Sequence, residues 1–172
     1  MSCVIGIDIG TTSTIGVLLD TTNNKILKKK SLDVELYSYK EGWAEQDPNQ
    51  WWKNTKLIIK ELSVFAKRKK KKIISIGTTG MLPALVAIDK KGQVIRKSIQ
   101  QSDSRTGRQL NKIFNKKKSK NFTKITKCGI NQQLIAPKLL WLKENEINNF
   151  KKIHKICGSY DYINYKLTGK FS

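Results

Sequence analysis

Residues 4–20, VIGIDIGTTSTIGVLLD, constrain the fold more than any other stretch of this sequence. Two apolar runs, residues 4–9 and 15–19, flank a small polar tip, and β-branched side chains dominate both runs. This pattern predicts two β-strands joined by a tight hairpin. Asp8 lies inside the first run, just before Gly10. A carboxylate in a buried strand is costly unless it is paired or binds a cation.

The tip contains Gly10, Thr11 and Thr12, which offer backbone N–H groups and hydroxyls. Glycine also lets a ligand approach the backbone closely. Together with Asp8, these groups have the chemistry of a phosphate-binding turn with a carboxylate directed at its magnesium ion. An ordinary hairpin with a turn of small residues explains the same pattern, and the residues alone leave both interpretations open.

Length and composition favour a globular chain with a core. The 172 residues are enough for one domain, and 38% of them are hydrophobic while 27% are charged. We expect neither a membrane span nor a signal peptide, since no apolar run has the required length or the basic leader. The three cysteines, Cys3, Cys128 and Cys157, fit no zinc or disulfide spacing. Reduced thiols in a cytoplasmic protein are therefore expected.

The formal net charge of +21 would ordinarily indicate a polyanionic partner. We expect the basic runs, residues 28–30, 67–72 and 116–118, to lie in loops or at helix ends. A surface that stacks single-stranded bases would require aromatic residues between the basic ones, and these runs contain none. We interpret the lysines as solvent-exposed residues that reflect the overall composition of the chain and not a binding surface. Nucleic acid is therefore not the expected partner. A basic polyanion-binding protein stays open as an alternative.

A third strand and a long helix are predicted after the hairpin. Residues 25–37 supply the strand and complete an antiparallel meander. Asp47 suits a helix N-cap, Pro48 the first helical position, and Gln50 can close a capping box. Trp43 lies outside this helix and is hard to explain by core packing alone.

A loop at residues 78–83 is predicted between two short strands, residues 73–77 and 85–89, and residues 94–99 continue as strand. A loop that follows a strand end is where α/β proteins bind ligands, although a plain connection is an equal explanation. The polar cluster that follows opens a helix. Asp103 is either the cap of that helix or half of an Asp/Arg pair directed at a polyol.

The last third of the chain is predicted to be mainly helical. Residues 137–145 form a short helix, and Ser159 caps a final helix that stops at Gly169. His154, the one histidine, stands among lysines, and a surface position is favoured over catalysis.

Six segments in this order resemble the N-terminal part of the FGGY family of carbohydrate kinases, and within it the xylulokinase-like members. They are GIDIGTTSTIGVLLD, GWAEQDPNQWW, IGTTGMLPALVAID, SDSRT, APKLLWLKENE and YDYINYKLTG, which together span essentially the whole chain. The resemblance implies an α/β ribonuclease H-like (actin-like ATPase) fold. Residues 1–172 would then form an incomplete N-terminal, substrate-side domain of a two-domain sugar kinase, without the C-terminal ATP-binding domain.

The reaction that the resemblance implies is ATP-dependent phosphoryl transfer to a hydroxyl of a ketopentose or polyol, with Mg²⁺ as the metal. Carried over residue by residue, Asp8 binds Mg²⁺, and Gly10, Thr11 and Thr12 approach the phosphates. The family's general base, an aspartate, is expected beyond Ser172, so these residues by themselves are expected to show no catalysis. A non-catalytic sugar-binding module and a homodimer both stay open.

The substrate side departs from the family pattern. The residues that the resemblance places there are Met81, Leu82, Pro83, Gln101, Asp103, Gln132 and Gln133. Residues 81–83 are apolar where glycerol kinases and xylulokinases carry polar or charged side chains, and Gln101 stands where a tryptophan is frequent. A hydroxyl-binding site needs fixed polar partners. The expected partners are Gln100, Gln101, Asp103, Gln132 and Gln133. The identity of the sugar stays open.

Overall fold

The computed structural model describes the backbone of residues 2–114 and 116–171 and, outside residues 116–120, their side chains. In chain order the elements are β1 (Ser2–Ile9), β2 (Ser13–Asp20), β3 (Ile26–Asp33), β4 (Glu45–Gln46), α1 (Pro48–Arg68), β5 (Lys72–Gly80), β6 (Val86–Ile88), β7 (Ser98–Ile99), α2 (Gly107–Ile113), α3 (Lys116–Thr126), α4 (Ile135–Asn145), α5 (Ile147–Lys152), β8 (Lys155–Cys157) and α6 (Ser159–Thr168). They form two compact units, one of residues 1–36, 47–81 and 158–172 and one of residues 37–46 and 82–157.

The first unit is built on a four-stranded sheet with the order β3-β2-β1-β5. β1 is antiparallel to β2, β2 is antiparallel to β3, and β1 is parallel to β5. The predicted meander is therefore confirmed, although its third strand ends at Asp33 rather than at residue 37. Burial alternates along β1 and β2, as expected for a sheet with one face on a core.

Helix α1 covers the buried face of this sheet. The Asp47 carboxylate accepts the Asn49 N–H at 2.9 Å, and Pro48 occupies the first turn, as predicted. Close packing is possible because β2 has Gly16 beneath the helix, where Ile58 and Leu62 are fully buried. A capping box with Gln50 is not formed, since its amide oxygen accepts the Glu35 N–H at 3.1 Å.

The second unit is built from short elements around an aromatic and aliphatic core. β4 pairs with β7, and β6 pairs with β8, both antiparallel. The core consists of Leu85, Ile99, Trp141 and Leu142, with Trp43, Ile135, Leu139, Phe150 and Ile153 packed against it. Trp43 thus has a packing role that the sequence did not indicate.

Several predicted boundaries are wrong. β5 continues through Gly80, so residues 78–80 belong to a strand and not to a loop. Residues 94–97 are not a regular strand, because β7 is only Ser98–Ile99. Asp103 does not cap a helix, since α2 begins at Gly107 after Thr106. Ser159 is the first residue of α6 and not its cap, whereas the left-handed stop at Gly169 is confirmed.

Several of the lysines have carboxylate partners in the first unit. Lys28 and Lys30, from a run expected in a loop or at a helix end, lie in β3 and bind the two oxygens of Glu61 at 2.8 and 3.1 Å. Lys71 binds Asp20, and hydrogen bonds from Lys71 and from the Thr22 N–H hold the pKa of this aspartate below its usual value. The side chains of the run at 116–118 lie outside the described residues. Among the described helices, none is both long and apolar enough to cross a membrane.

Candidate functional site

Asp8 lies at the carboxyl end of β1, on the sheet face that α1 does not cover. It is paired in register with Ile15 of β2 and with Thr79 of β5. A cavity of about 540 Å³ opens on this face. Its walls are Val4, Ile5, Gly6, Ile7, Asp8, Ile15, Val17, Leu19, Ser75, Gly77, Thr78 and Thr79. Within the described part of the chain, no lysine or arginine pairs with the Asp8 carboxylate.

The turn between β1 and β2 brings the backbone close to that carboxylate. The Gly10 N–H donates to the Ser13 carbonyl at 2.9 Å, and the Thr12 carbonyl accepts the Val34 N–H. A Cβ at residue 10 would stand 2.9 Å from the Ser13 carbonyl oxygen and 3.8 Å from Asp8 Oδ2. Thr11 and Thr12 are exposed at the tip. The turn therefore requires glycine at residue 10. It also leaves the negative charge of Asp8 without a cationic partner among the described residues, beside backbone that a ligand can approach.

These features fit a magnesium ion that is bound together with phosphate. Mg²⁺ in such sites keeps several waters and takes one or two carboxylates plus phosphate oxygens. Among the described residues, no cluster of three or more His, Cys, Asp or Glu side chains could hold a metal by itself. Asp8 is thus a candidate for a water-mediated Mg²⁺ contact, with Gly10, Thr11 and Thr12 beside the phosphates.

Met81 follows β5, and its backbone is held from two sides in the first unit. Its N–H donates to the Ile9 carbonyl at 2.9 Å. Its carbonyl accepts the hydroxyl of Ser159, a fully buried residue of α6, also at 2.9 Å. A side chain at residue 80 would collide with this serine, because a Cβ there would stand 2.6 Å from Ser159 Oγ. Ser159, predicted as a helix cap, instead holds the backbone of Met81 in place.

Asp103 lies in the second unit at the centre of a buried ionic cluster. The residue is 1% exposed, and its carboxylate receives Nε and Nη2 of Arg105 at 2.9 and 2.6 Å. It also accepts the Ala44 N–H at 2.7 Å. Arg105 extends the cluster to Glu45 at 2.7 Å, and Arg96 binds the same glutamate. The Asp/Arg pair predicted from the sequence is present, and it ties residues 103–105 to the strand β4.

Two tryptophans enclose the Arg105 guanidinium. Its carbon lies 3.7 Å from the ring centre of Trp43 and 4.8 Å from that of Trp141. The two rings meet edge to face at 5.4 Å. Stacking on aromatic faces desolvates and orients the guanidinium, which strengthens its bonds to the carboxylates.

The remaining predicted substrate residues also lie in the second unit. Leu82 is 49% exposed, and Gln101 is half-buried. The Gln132 carbonyl accepts the Thr106 hydroxyl at 3.4 Å, while its side-chain oxygen is buried without a partner in the described structure. Direct contact with a sugar stays a prediction for these three residues, and also for Asp103 and Met81.

Lys138 of α4 was not predicted as a site residue, yet it connects the two substrate-side segments. It is fully buried, and its Nζ donates to the Gln100 carbonyl at 2.8 Å and to the Pro83 carbonyl at 3.4 Å. Burial lowers the pKa of its ammonium group to about 8, with Asp103 opposing the shift and Arg105 adding to it. The sequence signal was a lysine among apolar residues in APKLLWLK, where a fully apolar helix face is expected.

Known proteins resemble the chain along almost its whole length. A family model described as the FGGY family of carbohydrate kinases, N-terminal domain, matches residues 3–172. Xylulose kinase of Bacillus subtilis is 33% identical over 169 residues, and that of Staphylococcus xylosus is 32% identical over 169 residues. Each match spans 98% of this chain and 34% of the relative, so the chain covers about a third of those proteins.

A solved structure of similar fold is that of xylulose kinase from Rhodospirillum rubrum. The TM-score is 0.94 at 43% identity, over 98% of this chain and 35% of the other. Glycerol kinase of Plasmodium falciparum, at 24% identity and a TM-score of 0.88, shares the fold. The comparisons confirm the resemblance predicted from the sequence and the actin-like, ribonuclease H-like α/β fold class.

Proposed function

Because this chain belongs to the FGGY family of carbohydrate kinases, we propose that it supplies the substrate side of an enzyme that phosphorylates a ketopentose such as xylulose, or a related polyol. The phosphoryl donor would be ATP and the metal Mg²⁺. The observation that carries this proposal is the similarity to xylulose kinases over 98% of the chain. The general base and the adenosine-binding groups are assigned to parts of such an enzyme outside these 172 residues.

The first unit would contribute the phosphate end of this chemistry. Mg²⁺, when bound, neutralises charge that develops on the transferring phosphoryl oxygens. Asp8 would hold and orient the hydrated ion, since its carboxylate has no cationic partner in the described structure. The backbone at Gly10 would let a phosphate approach, because no Cβ stands between it and Asp8.

The second unit would contribute hydroxyl-binding groups. Gln101 is half-buried, and the buried oxygen of Gln132 is an acceptor that a hydroxyl could satisfy. Leu82 would pack against the carbon skeleton of the sugar, as an exposed apolar side chain beside polar ones can. Asp103 would support the sugar site indirectly, because its buried ion pair with Arg105, whose position the two tryptophans fix, holds the segment that carries Gln101.

A thermal-shift titration of the 172-residue chain tests sugar binding. The panel is D-xylulose, other pentuloses, pentitols and glycerol. We expect one ketopentose to stabilise the chain by about 2.7 kcal/mol when its concentration is 100 times the dissociation constant. ATP turnover should stay at background with and without sugar.

Matched glutamine variants make this result specific. Gln101→Ala should lose the shift, whereas Gln93→Ala, an exposed glutamine in a turn, should keep it. A cooperative transition that no sugar displaces would contradict sugar binding by this chain. Sugar-dependent ATP turnover would instead overturn the assignment of the general base to residues outside it. A sugar-induced shift without turnover in any longer form of the protein would favour the non-catalytic binding module.

The metal-binding role of Asp8 is tested by Asp8→Asn. In the presence of tripolyphosphate, we expect the variant to bind Mn²⁺, a paramagnetic substitute for Mg²⁺, about 10- to 100-fold more weakly. The reason is that the amide has lost the charge which orients metal-bound water. Electron paramagnetic resonance of free Mn²⁺ measures the affinity. Asp33→Asn, at an exposed aspartate of the same unit, is the control and should bind like the wild type. Equal affinity in both variants would remove Asp8 from the site.

A further inference from the structure

Lys138 joins two segments that carry candidate sugar-binding side chains. Its ammonium group bonds to the carbonyl of Pro83, which follows Leu82, and to the carbonyl of Gln100, which precedes Gln101. The carbonyls therefore belong to backbone directly next to the two side chains. All five residues lie in the second unit, so this arrangement is internal to that unit.

Packing alone does not require an ammonium group at this position. Lys138 is fully buried, and burying a charge is costly, whereas an apolar side chain of similar length would fill the same space. What an apolar side chain cannot do is donate hydrogen bonds. The ammonium group has three donors, and charge-assisted bonds to two carbonyls fix their separation and direction.

We propose that Lys138 is a positioning residue that aligns Leu82 and Gln101 for the sugar through its bonds to the Pro83 and Gln100 carbonyls. This inference rests on the proposed sugar-binding function. Lys138 itself does not touch the sugar in this arrangement. Its loss changes the direction of backbone segments, so the effect falls on affinity for the sugar more than on the stability of the chain.

The protonation state of Lys138 gives a second consequence. Its pKa of about 8 means that the group is mostly charged at pH 7 and mostly neutral at pH 9. The charged groups that face it are the Asp103 carboxylate, which favours protonation, and the Arg105 guanidinium, which opposes it. Deprotonation removes one donor and the charge that strengthens the other two. The dissociation constant of the wild type should therefore rise between pH 7 and pH 9.

The test compares Lys138→Met with Lys143→Met, an exposed lysine of the same helix. D-xylulose is the probe, and isothermal titration calorimetry gives its dissociation constant. We expect Lys138→Met to bind about tenfold more weakly and to lose the pH dependence. Lys143→Met should keep both the affinity and the pH dependence of the wild type. Amide hydrogen exchange at residues 82–85 and 99–103 should be faster only in Lys138→Met.

Unchanged affinity and unchanged exchange in Lys138→Met would overturn the proposal. If the wild type binds no sugar, the proposed function fails for this chain, and the exchange measurement alone decides whether Lys138 positions the two segments. If Lys138→Met does not fold, the wild type decides, because a dissociation constant that is flat from pH 7 to pH 9 contradicts the role of the ammonium group.

Discussion

Replacing Arg105 with methionine is expected to lower the free energy of unfolding by about 3–5 kcal/mol. The side chain of this arginine is 1% exposed, and it binds the buried carboxylates of Asp103 and Glu45. Methionine fills a similar volume on the face of Trp43 but leaves the Asp103 carboxylate without its ion-pair partner and Glu45 with Arg96 alone. A buried charge without its partner retains the cost of desolvation and loses the attraction that offset it. Urea denaturation followed by circular dichroism measures the loss.

Arg108→Met is the matched control for this experiment. Arg108 lies in the same segment, but its side chain is exposed, so its replacement should change the free energy of unfolding by less than about 0.5 kcal/mol. Equal stability of the two variants would contradict the ionic cluster as the structural centre of the second unit. Arg105→Met should also weaken sugar binding, because the position of Asp103 depends on this pair.

A single added methyl group at Gly16 is expected to be the next most damaging change. In Gly16→Ala, the new Cβ overlaps Ile58 Cγ2 and stands 3.2 Å from Ile7 Cδ1 and 3.3 Å from Leu62 Cδ1. The helix α1 has to shift away from the sheet, and overpacking of a core costs about 1–3 kcal/mol. The midpoint of thermal unfolding should fall accordingly in differential scanning calorimetry.

The same substitution at Gly77 separates packing from backbone effects. Gly77 lies in β5, and a Cβ there would meet nothing within 4 Å. Gly77→Ala should therefore be neutral, or stabilising by up to about 1 kcal/mol, because alanine restricts the unfolded chain. A loss at Gly77 equal to that at Gly16 would show that the sheet needs glycine for conformational reasons and not for close packing by α1.

The strands and the long helix of the first unit were predictable because their signals are local. Alternating burial along β1 and β2 follows directly from side chains that alternate between the two faces of a sheet. The start of α1 was predictable because the Asp47 carboxylate accepts an unpaired N–H of the first helical turn, and Pro48 has no N–H to leave unpaired there. The turn at Gly10 was also predictable, because small residues between two strands are a local signal for a hairpin.

Unlike the Asp103–Arg105 pair, several buried polar contacts of the second unit were not predictable, because they join residues that are distant in sequence. Glu45 and Arg105 meet only when β4 and the segment after β7 are brought together. In the sequence, Lys138 is one of many lysines. Its role depends on the packing of α4, which brings its Nζ to two backbone carbonyls. Asp103 was recognised as part of an Asp/Arg pair, but its backbone partner at Ala44 gives no signal in the sequence.

The order in which the first unit receives its parts affects how it can fold. The four strands described for its sheet are all synthesised by residue 80, but α6, which supplies the hydroxyl of Ser159 to Met81, comes from the segment 158–172. On a ribosome, the whole second unit is therefore synthesised before α6 reaches the first unit. Contacts of such long sequence separation slow folding, because a long loop has to close before they can form. During that interval the edge strand β5, with Ile74 and Ile76 exposed even in the folded unit, is a site at which a nascent chain can aggregate or bind a chaperone.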